Sequence, residues 1–452
     1  MVRSMGLLGL ALVVAASPIA RAAGTLSAQT TGAAKGIMLT GAADETHAFA
    51  LGAKDDGQGN SQMMSLLTSD GGATWDMTPA QGLTAGAMLI LNDAICPSAG
   101  KCLALASSID MSGGGFPVIQ NNLISSADGG KTWAWPAKTQ LKSWSFSRID
   151  VVTEQDIWLS SGANVIVHST DGGKTFQWKV PQVGDKKYMA IVETAFLSAT
   201  TGYVLNAKAE TTDAGVETIS PEGALLKTTD GGATWTALFT DKTEAYGRLE
   251  MASEQVGWLA GHTAAGPFLR KTTDGGQTWD DVAIPTPVAS VPALTSIDGL
   301  WMFNAQDGLL VANYKISQEQ WAHVIFEIRG GALAEMTSDP VNNAGSMYGL
   351  SCTATGTCWM GGSTGTILKY EDTTVAPPSD TTTGGDVAGS DVANDVLGND
   401  GYVPQDLNGY WDTSSTGGKS GCVAGSVPGA ATAIPALLGL LLLSATRLRR
   451  RD

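Results

Sequence analysis

Five aspartates recur in one heptapeptide, and carboxylates repeated at fixed spacing are the first candidates for chemistry in this chain. Asp70, Asp128, Asp171, Asp230 and Asp274 each stand second in a run that continues Gly-Gly-x-Thr-Trp or Phe: Ser69 to Trp75, Ala127 to Trp133, Thr170 to Phe176, Thr229 to Trp235 and Thr273 to Trp279. A carboxylate so placed could act as a general acid or base, bind a cation, or accept hydrogen bonds from its own turn. The flanking residues favour the last. Paired glycines supply the positive φ of a tight turn, and the closing aromatic is free to pack between neighbouring elements.

The residues around these turns repeat as well, and they set the scaffold. Ahead of each turn come a strand-like run, a short turn, a run holding an aromatic and a glycine, and a third run; behind it comes the Thr-Trp strand. In the fifth copy these are Arg248-Leu249-Glu250-Met251, Gly257-Trp258-Leu259-Ala260-Gly261, Phe268 to Thr272, and Thr278-Trp279 onward. Four short strands per unit is the make-up of a propeller blade. Successive aspartates stand 58, 43, 59 and 44 residues apart, so the blades carry inserts of unequal length. These come mainly from long polar loops between second and third strands: Lys54 to Ser61, Ile109 to Pro117 and Lys208 to Glu222.

Gly36 to Leu67 supplies the strands ahead of Asp70, and two further units without a clean heptapeptide run from Leu294 to Gly331 and from Met347 to Tyr370. The expected fold is all-β, a seven-bladed β-propeller of four-stranded blades over residues 23–372. The last unit stops early, since Glu371-Asp372-Thr373 runs into Pro377-Pro378 with no Thr-Trp strand. A ring must close or expose an edge that invites aggregation. Thr25 to Thr31, which belongs to no other unit, is expected to supply the missing outer strand.

The heptapeptide resembles the Asp-box, or BNR repeat, of sialidases, sortilin-type receptors and related propellers. That resemblance implies a box in the turn between third and fourth strands, away from the ligand face, and a structural role for all five aspartates. It also raises a catalytic alternative, sialidase-type hydrolysis, which needs three arginines for the substrate carboxylate, a Glu-activated Tyr and an acid/base Asp. The predicted propeller holds only Arg148, Arg248, Arg270 and Arg329, and the last two lie beside box turns. Ser147-Arg148-Ile149-Asp150 is similar to the Arg-Ile-Pro signature of sialidases, but it lacks the proline and falls in the third blade. The wider pattern, an Arg on the first strand, then Gly-Trp-x-x-Gly, then the box, resembles the photosystem II stability and assembly factor propellers, best over Asp150 to Phe176 and Glu250 to Trp279. This second resemblance implies a protein that holds membrane-protein partners during assembly and performs no chemistry.

The repeat also aligns residues that differ between blades. Taking Phe49, Trp158, Tyr203, Trp258 and Trp359 as one second-strand position places Leu39, Arg148, Glu193, Arg248 and Gly349 ten residues earlier, and the cysteine spacing puts Asp93 at that point of blade 2. Blades 2 to 5 thus present Asp93, Arg148, Glu193 and Arg248, alternating in sign, at the start of their inner strands. Two readings stand: inter-blade ion pairs that set register, and a binding site in the channel.

Four of the five cysteines form two matching pairs, Cys96/Cys102 and Cys352/Cys358, each with five residues between. In an exported chain they are expected to be two disulfides clamping the hairpin between first and second strands. Zinc would need nearby histidines or a shorter spacing, and no metal or cofactor is expected. Export follows from Arg3, the apolar run Leu7 to Ala16 and the small residues of Ala20-Arg21-Ala22, which mark 1–22 as a signal peptide. Residues 373–421 are rich in Gly, Ser, Thr and Asp and read as a disordered acidic linker. Residues 422–452 join Cys422, the apolar run Val427 to Ala445 and a closing cluster of arginines, long enough to span a bilayer. This tail resembles the myxobacterial C-terminal sorting signal, which implies cleavage or lipid attachment at Cys422.

The formal net charge of −16 argues against a nucleic-acid partner. Taken together, the sequence points to an exported, surface-anchored monomer whose propeller binds a protein or glycan without catalysis and assists envelope assembly. A sialidase-type exo-glycosidase is the alternative.

Overall fold

A computed structural model describes residues 24–375, except for connecting segments 30, 32–35, 56–60, 84–87, 111–117, 136–140, 142–145, 162–164, 185, 189–190, 207–218, 221–222, 242–244, 286–293, 316–320, 337–346 and 373. The expected signal segment 1–22, the linker beyond Val375, the tail with Cys422 and the middles of the three long loops lie outside the described residues. No helix among the described residues is long and apolar enough to cross a membrane.

Strands are named here by blade, counted outward from the ring's axis. Blade 1 is Ile37–Ala42, Ala48–Asp55, Ser61–Thr68 and Asp76–Pro79, and blade 2 is Met88–Ser98, Lys101–Asp110 and Val118–Ser126. Blade 3 is Phe146–Val151, Ile157–Ser161, Ile166–Ser169 and Gln177–Lys179; blade 4 is Ile191–Phe196, Gly202–Asn206, Gly223–Thr228 and Thr236–Asp241. Blade 5 is Ala245–Met251, Gly257–Thr263, Gly266–Thr272 and Asp280–Val282; blade 6 is Leu294–Met302, Gly308–Lys315, Trp321–Arg329 and Ala332–Met336. Blade 7 is Met347–Cys352, Thr357–Gly362 and Ile367–Glu371, completed on its outer edge by Thr25–Gln29. Each is an antiparallel meander, and each inner strand touches the inner strands of the blades on either side until the last meets the first.

Burial explains which residues fill which strand. Middle strands are covered on both faces by adjacent blades, so they read as continuous buried runs, as in Ile157–Ser161 and Thr357–Gly362. Seven apolar clusters result, one in each interface between neighbouring blades. The recurring second-strand aromatic has a local partner too. In register with Trp158, Tyr203, Trp258 and Trp359 on the third strand stand His168, Lys227, Lys271 and Lys369. The three lysine nitrogens lie 5.0, 4.9 and 5.7 Å from the ring centroids, and His168 stacks on Trp158 at 3.7 Å. The three lysine contacts are cross-strand cation–aromatic pairs and the fourth is a ring stack; all four hold hairpin register while the aromatic faces build the core.

Ring closure follows the expected scheme. Thr25 pairs with Glu371 and Gln29 with Ile367, so the first strand of the chain is the outer strand of the last blade. Both disulfides form, Cys96–Cys102 and Cys352–Cys358, across the hairpin between inner and second strands.

Two features depart from the regular pattern. Among the described residues blade 2 has three strands, and its outer edge carries a bridge between Ser125 and Ala134. Trp135 Nε1 donates to Gly82 O (3.1 Å), in the connection between blades 1 and 2. A separate small sheet pairs Gln182–Val183, Lys186–Tyr188 and Ile219–Ser220, joining the connection before blade 4 to that blade's long second-to-third loop.

Candidate functional site

The five box turns are built alike. In the first, Thr68 Oγ1 (2.8 Å) and Thr74 N (2.9 Å) donate to Asp70 Oδ1, and Thr74 Oγ1 donates to Oδ2 (2.6 Å). Gly72 N in turn donates to Thr68 Oγ1 (2.7 Å). The same four bonds recur at Asp128, Asp171, Asp230 and Asp274. Gly71 and Gly72 have φ of 70° and 86°, a conformation open to glycine at little cost. Hydrogen bonds, first those from the threonine hydroxyl four residues on, hold Asp70, Asp171, Asp230 and Asp274 down at about 2. At Asp128 burial pushes upward, and the bonds from Thr132 and Ser126 outweigh it. These carboxylates are engaged by their own turns; of the aromatics that close the boxes, Trp133, Phe176 and Trp235 are buried between blades and Trp75 and Trp279 are partly buried.

The inner strands bring the other aligned residues into contact. A β-bulge interrupts the inner strand of each blade near its start, at Ser147 in blade 3, Val192 in blade 4 and Gly247 in blade 5. A bulge bends the strand and re-aims the residue that follows it, here Arg148, Glu193 and Arg248. Glu193 stands between the two arginines: Arg148 Nε donates to its Oε1 (2.6 Å), and Arg248 Nη1 lies 3.6 Å from its Oε2. Each guanidinium also caps the carbonyl of its own bulge, Ser147 O at 3.0 Å and Gly247 O at 2.9 Å. Asp93 joins from blade 2, its Oδ2 accepting from Ile149 N (2.9 Å) and its Oδ1 from Ala94 N (2.9 Å). The four aligned residues therefore form one continuous arc across blades 2 to 5.

Two carboxylates that the alignment did not single out belong to the same arc. Asp150 and Glu250 stand two residues beyond Arg148 and Arg248, on the same side of an alternating strand. Thr194 Oγ1 donates to Asp150 Oδ2 (2.5 Å) across the interface of blades 3 and 4. The period-2 rule applied to Arg148 and Arg248 was the signal that could have found them.

Charge balance in the arc is uneven: four carboxylates share two guanidinium groups. Burial raises Asp93 to about 6 against the pull of Arg148, and it raises Glu250 to about 8 with help from Glu193 and Asp150. Asp150 is pushed well up by burial, although the Thr194 hydroxyl opposes it. Arg148 is held firmly charged, chiefly by Glu193.

The remaining arginines are engaged elsewhere. Arg270 Nε donates to Asp281 Oδ1 (2.8 Å) with its guanidinium over Phe268, and Arg329 pairs with Glu327 and Asp372 between blades 6 and 7. Among the described residues no group of acidic, His or Cys side chains could hold a metal ion.

No protein-family model matches the chain, and no curated protein matches it in sequence. Solved structures do match. A structure described as YCF48 bound to D1 peptide superposes with a TM-score of 0.51 at 13% identity, over 78% of this chain and 98% of that one. YCF48 from Cyanidioschyzon merolae gives 0.51 at 11%, over 76% and 98%. The fold is shared with these propellers. A GH74 xyloglucanase from Xanthomonas campestris gives 0.49 at 14%, over 76% of this chain and 53% of its own length. At such identities the likeness establishes architecture, and the chemistry of a site has to come from the residues present.

Proposed function

We propose that this chain is a binding propeller without catalytic chemistry, which takes a segment of a partner protein at the start of its inner strands. The observation that carries the reading is the arc of Asp93, Arg148, Asp150, Glu193, Arg248 and Glu250, six ionisable groups in four consecutive blades around the ring's axis. After pairing with Glu193, the side chains of Arg148 and Arg248 remain 24% and 26% exposed, enough to donate to a ligand carboxylate. Asp150 and Glu250 are half-buried and offer acceptors to a basic side chain. A peptide brings charges of both signs, whereas most neutral glycans bring neither. The propeller solved with a D1 peptide supports a peptide ligand over a sugar. Export and surface anchoring belong to the same proposal, supported by two disulfides of a kind that persist outside a reducing cytoplasm.

The test is capture by the full-length protein on peptide and glycan arrays, with Arg148→Ala and Arg248→Ala beside the wild type. The expected result is capture of charged peptides, weakened about 10-fold or more by either substitution, as for loss of a partly desolvated charge-assisted bond. Unchanged capture with a lowered melting temperature would leave the arc a purely structural device. Hydrolysis of fluorogenic sialosides by the wild type would replace the binding reading with the glycosidase one.

A further inference from the structure

The face that carries the box turns has an opening of its own. In each box the first glycine lies against a carbonyl of the hairpin between inner and second strands of the same blade: Glu45, Ala99, Glu154, Ala199 and Glu254 in blades 1 to 5. The preceding blade sends a polar side chain to three of these places. Lys101 Nζ donates to Glu154 O (2.5 Å), Tyr203 donates its hydroxyl to Glu254 O (3.1 Å), and Lys369 Nζ lies beside Gly71 together with Glu45 O. The interface ahead of blade 4 is filled instead by aromatic stacking, with Trp158 between His168 and Phe196 at 3.7 and 3.8 Å.

The interface ahead of blade 2 has neither device. Blade 1 places Phe49 where blades 3, 4, 5 and 7 place Trp or Tyr, and the third-strand residue in register with it is Leu67, where blades 4, 5 and 7 carry Lys227, Lys271 and Lys369. These shorter side chains leave a cleft of about 230 Å³, lined by Phe49 and Leu67 of blade 1 and by Ala99, Gly129 and the Cys96–Cys102 disulfide of blade 2. Among the described residues no donor reaches Ala99 O. The carboxylate that accompanies a lysine elsewhere is nevertheless present: Asp76 stands across from Leu67 as Asp280 stands across from Lys271. Asp76 is exposed and lines the same cleft. What this interface lacks is an ammonium on a long apolar stem.

We propose that the cleft between blades 1 and 2 is a second binding site, which takes a lysine side chain of another protein. The stem covers Phe49 and Leu67, and the ammonium donates to Ala99 O, faces Asp76 and lies by the Phe49 ring. The chain's own lysines show the geometry, with Nζ 4.9 to 5.7 Å from the centroid of the aromatic they accompany. A net charge of −16 draws a basic partner toward this face as to any other. The arc lies at the start of the inner strands and this cleft at their end, so the two sites can be filled together.

The experiment measures, by fluorescence anisotropy, the binding of a Gly/Ser peptide with one central lysine, labelled at its N-terminus, and of the same peptide with norleucine, which keeps the stem and drops the ammonium. The full-length protein is expected to prefer the lysine peptide about 10-fold or more, as for a hydrogen bond from a charged group. Leu67→Lys fills the cleft from the chain itself, so it should fold with an undiminished melting temperature and lose that preference. Asp76→Asn, at an exposed position, should weaken lysine binding about two- to fivefold and gives the reading should Leu67→Lys not fold. Equal binding of the two peptides by the wild type overturns the proposal. So does a lysine preference that is unchanged in folded Leu67→Lys or in Asp76→Asn, which would move lysine recognition to another part of the molecule.

Discussion

Carboxylates do opposite work at two places in blades 2 to 5. Box aspartates are exposed or nearly so, each receives at least three hydrogen bonds from its own turn, and four of the five are held at about 2. Arc carboxylates are half-buried or buried where the inner strands meet around the axis, and there Asp93 rises to about 6 and Glu250 to about 8. In the box a carboxylate meets donors fixed within four residues of itself, so its charge is satisfied locally and owes nothing to the rest of the fold. In the arc the partners come from other blades, and two guanidinium groups are shared among four acids. A carboxylate's surroundings, and not its recurrence in the sequence, decide whether it is a turn clamp or a group in want of a partner.

The largest test of this contrast is Arg148→Ala. It removes the 2.6 Å bond to Glu193 and the main cation near Asp93, leaving Glu193 with Arg248 at 3.6 Å. Breaking a buried pair by deleting one member costs about 3–5 kcal/mol; with Arg148 partly exposed, a loss of about 2 kcal/mol is expected in a denaturant titration. Restoring stability by the added change Glu193→Gln would show that the cost is the orphaned carboxylate and not lost packing. A loss as small as that of an exposed surface pair would erase the distinction between arc and box.

Glu250→Gln sharpens the comparison in the other direction. With a folded value of about 8 against an ordinary 4.5, the carboxyl takes up a proton on folding, so it costs nothing below pH 4.5 and destabilises progressively as the pH rises toward 8. The glutamine variant should match the wild type at pH 4 and exceed it at pH 8, by about 2.4 kcal/mol if solvent reaching the half-buried group halves the shift. Melting curves across that range check it, and a gain independent of pH would mean that ionisation is not the cause.

The scaffold was legible in the sequence because propeller blades are local. The box, the second-strand aromatic and the cysteine spacing each act within about 45 residues, and they led directly to the turns, the disulfides and the closing strand. The arc was legible in part, since Arg148, Glu193 and Arg248 keep a constant offset from that aromatic. Asp150 and Glu250 lie off that offset and follow from strand alternation alone, which brings the residue two beyond Arg148 or Arg248 to the same side. In blade 2 the bond from Trp135 to Gly82 O, beside the bridge at Ala134, is a side-chain anchor that no repeat pattern expresses. The cluster of Glu327, Tyr370, Arg329 and Asp372 between blades 6 and 7 was the least legible: it joins residues up to 45 positions apart with Gly24, 303 residues before Glu327, and depends on how the ring ends meet.

The smallest effect is expected at the box, where Asp230→Asn keeps one oxygen acceptor and the turn glycines but gives up the charge. The amide oxygen can still accept from Thr234 N, as the carboxylate does at 2.8 Å, while the oxygen that accepts from Thr234 Oγ1 at 2.5 Å becomes a nitrogen that can only donate to that hydroxyl, without the charge assistance. Because Asp230 is lowered to about 2 from an ordinary 3.8, its charge stabilises the fold at and above pH 4, and the benefit drains away as the pH falls from 3.8 through 2. The variant should therefore melt slightly below the wild type at pH 7 and converge with it near pH 2, the reverse of the Glu250→Gln profile. Peptide capture should be untouched, since the box lies in the turn between third and fourth strands while the arc lies at the start of the first. Opposite pH profiles from two carboxylate-to-amide changes in one chain would show that this repeat separates clamp from site by environment alone; parallel profiles would show that it does not.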